Sequence, residues 1–176
     1  MPLVKDNAIV SDRYTRILDD APVPANGAVL VPAERFLADA AEFAARNAET
    51  GVIWPNNRDI DELAPHLDKL ALVALVFPKY QDGRAYSQAR ILRERYGYRG
   101  EMRATGAVLR DQFVFMLRAG FDSFEVKKDA DAKAFPLVAG RYSVFYQPTG
   151  DGRLPAFRKR LQSHAPPNRE LRSASR

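Results

Sequence analysis

The run Leu72-Val73-Ala74-Leu75-Val76-Phe77 is apolar at every position. A strand with one wet face alternates polar and apolar residues, whereas one that does not alternate is covered on both faces, as at the centre of a parallel sheet. Around this run, from residue 28 onward, β-rich stretches alternate with segments of helical spacing. Strands are expected over residues 28–31, 52–54, 72–77, 101–105, 123–126 and 142–146. Strands interleaved with helices are the mark of right-handed βαβ units. The expected fold class is therefore α/β: a parallel sheet of about six strands in βα repeats, either an open sheet or a partial TIM-like barrel. An N-terminal arm or hairpin is expected ahead of the repeats, over residues 7–20.

Phe36, Leu37, Ala40, Ala41, Phe43 and Ala44 form one apolar helical stripe. Asp59 with Glu62 reads as a capping box opening a short helix toward Leu70. Ala85, Ala89, Leu92 and Tyr96 share a face of a third helix that Gly97 is placed to end, and Leu109, Phe113, Met116 and Leu117 give a fourth ending near Gly120. A weaker fifth helix is expected over residues 130–138, with Pro136 limiting its length.

The chain has 176 residues, the size of one ordinary domain, expected over residues 1–147 with a basic, disordered tail over 148–176. From Asp151 onward seven basic residues face only Asp151 and Glu170, which accounts for the whole net charge of +5. Between residues 84 and 118 eight arginines and no lysine stand against three acidic residues, so an acidic N-terminal half offsets them. Cysteine is absent. That excludes disulfides, thiolate metal ligands and a thiol relay, so electrons passing through this chain would travel on a bound cofactor, which the residues do not name. No h-region follows Met1 and no apolar run approaches the roughly 18 residues of a membrane span, so a cytoplasmic location without membrane contact is expected.

In parallel α/β folds ligands gather at the carboxyl ends of strands. The loops there hold Pro55-Asn56-Asn57-Arg58 and Pro78-Lys79-Tyr80-Gln81-Asp82-Gly83-Arg84, and the next strand ends at Thr105-Gly106. Arg58, Lys79, Asp82 and Arg84, with Arg103 on the neighbouring strand, are the candidate binding residues for a small oxyanion or carboxylate. The plainer reading is that Asp82 caps the following helix with Arg84 on the rim. Glu101 and Arg103 fall on one strand face and suit an ion-pair network. Arginine in place of lysine favours planar, bidentate contacts with carboxylates, oxyanions or an acidic protein partner.

Other signatures are missing: G-x-G-x-x-G, the Walker loop and H-E-x-x-H do not occur, and His66 and His164 are far apart in sequence. Tyr86, Tyr96 and Tyr98 flank the arginines, with Tyr96 expected in the core. The stretch Phe157-Arg158-Lys159-Arg160 gives no basis for specific nucleic-acid binding.

From Phe77-Pro78-Lys79-Tyr80 through Asp82-Gly83-Arg84-Ala85-Tyr86-Ser87 and Leu92-Arg93-Glu94-Arg95-Tyr96-Gly97-Tyr98, the chain resembles a bacterial family, the domain of unknown function 934. The likeness continues over Arg99-Gly100-Glu101-Met102-Arg103-Ala104, Val108-Leu109-Arg110-Asp111-Gln112 and Ala119-Gly120-Phe121-Asp122-Ser123-Phe124-Glu125. Members of that family are named as oxidoreductases of sulfite reduction. The resemblance therefore implies an oxidoreductase or an accessory protein of assimilatory sulfite reduction, with sulfite reductase or another sulfate-assimilation enzyme as partner. It assigns no catalytic residues. Ala107 and Ala119 stand where the family is expected to carry an acidic residue and often a cysteine, so neither position does obligatory chemistry here. The alternatives are a non-catalytic, Arg-rich interaction module docking an acidic partner, and an enzyme for a small anion unrelated to sulfur.

Overall fold

A computed structural model describes residues 1–18, 21–149 and 154–163. Eight strands form one sheet: β1 (Leu3–Lys5), β2 (Ala8–Val10), β3 (Thr15–Arg16), β4 (Val29–Pro32), β5 (Thr50–Trp54), β6 (Leu70–Phe77), β7 (Glu101–Gly106) and β8 (Ser123–Glu125). Their order across the sheet is β2-β1-β8-β7-β6-β5-β4-β3. β3 through β8 run parallel, while β1 pairs antiparallel with β8 and β2 antiparallel with β1. The chain is thus α/β and mostly parallel, as its alternation of elements requires.

The sheet is strongly curled. Arg16 on β3 and Glu125 on β8 are five strand steps apart, about 24 Å on a flat sheet at the usual strand spacing. Their side chains nevertheless form an ion pair of 2.6 Å. Only a half-barrel, with the N-terminal arm leaning across its mouth, brings them together.

Alternation along each strand sorts the residues to two faces. Val29, Val31, Val52, Trp54, Val73, Leu75, Phe77, Met102, Ala104 and Phe124 point to the convex side and make the main core with the helices. Leu30, Leu72 and Ala74 point to the concave side and pack under Tyr14 of the arm. That explains the unbroken apolar run in β6: both of its faces are covered.

The outer helices are short. The Phe36 stripe forms α1 (Ala33–Ala38) and α2 (Ala40–Ala45), broken at Asp39, where φ is −116°. Residues Ile60–His66 form a 3-10 helix whose Asp59 side chain accepts a hydrogen bond from the Asp61 N–H. α3 (Arg84–Arg90) continues into a π turn over Ile91–Arg95, and Gly97 ends it at φ 63° as the Tyr98 N–H reaches back to the Leu92 carbonyl. α4 (Phe113–Ala119) ends at Gly120, φ 103°. α5 (Asp129–Ala139) runs through Pro136, which forfeits one bond in the last turns. On the convex side Phe113, Phe124 and Phe135 pack ring to ring at 4.7, 4.9 and 5.5 Å, joining α4 and α5 to β8.

The strand expected over residues 142–146 does not form. The edge of β8 that it would extend is taken by β1, so the sixth parallel strand is β3, from the arm. Residues 140–145 instead lie beside α5. Within the segment expected as a tail, α6 (Ala156–Ser163) folds back on that stretch through the Ala156 N–H to the Phe145 carbonyl, 2.8 Å, and Lys159 Nζ to the Ser143 carbonyl, 3.2 Å. Residues 150–153 and 164–176 of the expected tail lie outside the described residues.

Candidate functional site

At the carboxyl ends of β5 and β6 the two loops meet. Gln88 of α3 is buried and donates to the carbonyls of Pro55 and Arg58 at 3.2 and 2.9 Å, fixing the first loop to the helix. Arg84 grips Asp82 through Nε and an Nη at 3.0 and 2.7 Å. Arg84, and after it Asn56, hold the Asp82 carboxyl well below the usual carboxylate range. Arg58 lies 5.4 Å from the Trp54 ring and pairs with Glu62 at 2.8 Å and Glu34 at 3.5 Å. Lys79 is exposed on the second loop. Asp82 and Arg84 are therefore joined to each other, and Arg58 is held by its own pair of carboxylates.

Arg103 is elsewhere. It projects from the middle of β7 onto the concave face, 1% exposed, and gives its donors to Asp12 (2.7 Å), Glu101 (3.0 Å) and Glu125 (3.4 Å). Glu101 also accepts from Lys5 at 2.6 Å and Ser123 at 2.7 Å, and Glu125 from Arg16 at 2.6 Å and Thr105 at 2.7 Å. Three cations, Lys5, Arg16 and Arg103, thus face three carboxylates, Asp12, Glu101 and Glu125. Tyr14 completes the cover, its hydroxyl donating to Glu49 at 2.7 Å and its ring 5.5 Å from the Arg103 guanidinium. Burial, and next the Glu49 carboxylate, push the Tyr14 hydroxyl pKa up. The arm is a stopper on the concave face, charged at one end and aromatic at the other.

Burial alone would raise the Glu101 pKa, yet the hydrogen bonds from Lys5, Ser123 and Arg103 leave it lowered from 4.5. A carboxyl whose folded pKa is depressed contributes stability that is complete above its unfolded value and is lost as pH falls through the folded one. The urea midpoint should accordingly fall on acidification below about pH 4.5. Glu101→Gln should be less stable at neutral pH but show a shallower acid slope; an unchanged slope would remove Glu101 from the acid response.

The arginines between residues 84 and 118 are largely engaged inside the molecule. Arg93 donates to the carbonyls of Tyr98, Gly100 and Gly120 and to Asp122, and Arg95 pairs with Asp61 at 3.0 Å. Arg90 pairs with Glu94 and Arg118 with the Gln147 carbonyl. A forked guanidinium can bind several carbonyls at once, which an ammonium group does less well. Tyr98, bonded to the Leu70 carbonyl at 3.1 Å, is buried within the core, and Tyr96, partly buried, packs against it. Tyr86 packs edge-on against Phe77 at 5.2 Å, and burial followed by Asp111 pushes its pKa up to about 12.

A second concavity was not foreseen from the sequence. Between α4, α5 and residues 140–145 runs a groove of about 800 Å³ lined by apolar Val114, Val138 and Phe145 and by charged Arg110, Asp111 and Arg141. Phe115, Leu137 and Tyr142 stand 67%, 81% and 53% exposed around it. The available signal was Phe115, which falls off the buried Phe113, Val114 and Met116 face of α4. Among the described residues no three metal-ligating side chains converge, and no helix is long and apolar enough to cross a membrane.

Fold and site define a curled, mostly parallel α/β half-barrel with a filled concave face and an apolar groove on its helical side. Residues 51–157 match the family described as "Bacterial protein of unknown function (DUF934)", and the chain belongs to that family. A search of curated proteins finds no match.

Proposed function

We propose that this protein serves assimilatory sulfite reduction as an accessory component of that oxidoreductase system, docking on an enzyme that handles the electrons. The resemblance to members named for sulfite reduction supports the pathway; the matched family itself is described as of unknown function. One observation supports the docking role: the concave face, where a half-barrel offers a ligand site, holds a closed set of ion pairs under the arm, while large apolar side chains stand exposed beside a groove on the other side. At the strand ends Arg58, Asp82 and Arg84 already have protein partners.

Deletion of the gene should leave growth on cysteine intact and impair growth on sulfate or sulfite as sole sulfur source. The tagged protein should also co-elute with sulfite reductase activity without a chromophore of its own. Normal growth on sulfate would overturn the pathway. A flavin-like or haem-like spectrum retained by the pure protein would overturn the accessory role in favour of a small redox enzyme.

A further inference from the structure

We propose that the groove between α4, α5 and residues 140–145 receives an acidic protein segment bearing apolar anchor residues. This rests on the docking role above and adds the chemistry of the partner. The groove supplies the apolar half of the recognition. Its volume of about 800 Å³ falls in the range that encloses a drug-sized group, room for a few large side chains. Exposed Phe115, Leu137 and Tyr142 are the residue types that anchor protein interfaces or extend their apolar centre.

Charge supplies the other half. Arg110 and Arg141 line the groove, Lys133 is exposed on α5 next to the lining residue Ala134, and α6, bonded to the Phe145 and Ser143 carbonyls, carries exposed Arg158 and Lys159. Asp111 is the one carboxylate of the lining, against two arginines. Such a rim attracts acidic surfaces and steers their approach. It also disfavours a second copy of this chain, because a two-fold contact would set the same basic rim against itself. A lipid surface fits less well than a protein segment, since a flat bilayer face would leave the floor of a concave groove unfilled.

The experiment uses the full chain and two fluorescein-labelled helical peptides with Leu and Phe at identical i, i+4 positions, one with Glu and the other with Lys elsewhere. Anisotropy titrations at low salt should show the Glu peptide binding and the Lys peptide not binding. Added salt should weaken the complex. Leu137→Asp and Arg141→Glu should each weaken it by about tenfold or more. Both side chains are exposed, so Trp54 fluorescence should report unchanged folding in the variants. Equal binding of both peptides, binding of neither, or binding unaffected by either variant would overturn the proposal. So would capture of the chain by phosphatidylserine vesicles with no peptide binding, which would make the patch a lipid surface. A deletion strain that grows on sulfate, combined with groove-specific peptide binding, would defeat the sulfite assignment and leave the groove standing.

Discussion

Arg103→Ala should lower unfolding stability by about 3–5 kcal/mol, the usual cost of removing one partner from a buried ion-pair set. The guanidinium is 1% exposed and bonded to Asp12, Glu101 and Glu125. Its loss leaves Glu101 and Glu125, whose side chains are 8% and 7% exposed, without their shared counter-charge. Arg103→Lys should recover little, because a compact ammonium lacks the spread fork of donors that meets three carboxylates at once. Urea unfolding followed by Trp54, the only tryptophan, reads this directly. A loss below about 1 kcal/mol would mean that water replaces the guanidinium and that the concave face is already wet.

Phe124→Ala should cost a similar amount, about 3–5 kcal/mol, for a different reason. The ring is fully buried and contacts Phe113 and Phe135 at 5.5 and 4.9 Å, so truncation opens a cavity where α4, α5 and β8 meet. β8 has only three residues and carries Ser123 and Glu125 on its other face, so the damage should reach the concave network. The double variant Phe124→Ala with Thr105→Val should then lose less than the two single losses added together. Strict additivity would show that the two faces of β8 respond independently.

Much of the architecture was legible in the sequence because it depends on periodicity. The unbroken β6 run, the Phe36 stripe, and Gly97 and Gly120 as terminators all report local backbone preference and burial, which neighbouring residues reveal. The same-face relation of Glu101 and Arg103 was legible for the same reason, and the two do pair. What was hidden depends on distant partners. Nothing near Thr15 and Arg16 marks a two-residue parallel strand; it exists because Leu30 and Ala28 offer carbonyls across the chain. Asp6-Asn7 did carry a signal, since φ values of 51° and 62° suit these residue types in a tight hairpin turn. Residues 142–146 looked like a strand by composition, but the edge they needed was filled by β1. The loop residues Arg58, Asp82 and Arg84 do follow the strand ends, whereas their engagement is set by rotamers, and of their pairs only Arg58 with Glu62 has a spacing, four residues, that marks it.

The ion pair between Arg16 and Glu125 joins residues 109 positions apart. A ribosome delivers the arm before the strands it covers, but its carboxylate partner emerges only after every other parallel strand has been made. During synthesis the concave face therefore grows strand by strand with its apolar half uncovered, and Tyr14 can settle on Leu30 and Leu72 before Arg16 has anything to grip. The stopper thus leaves the exit tunnel ahead of the strands it covers and locks only after the last of them has formed.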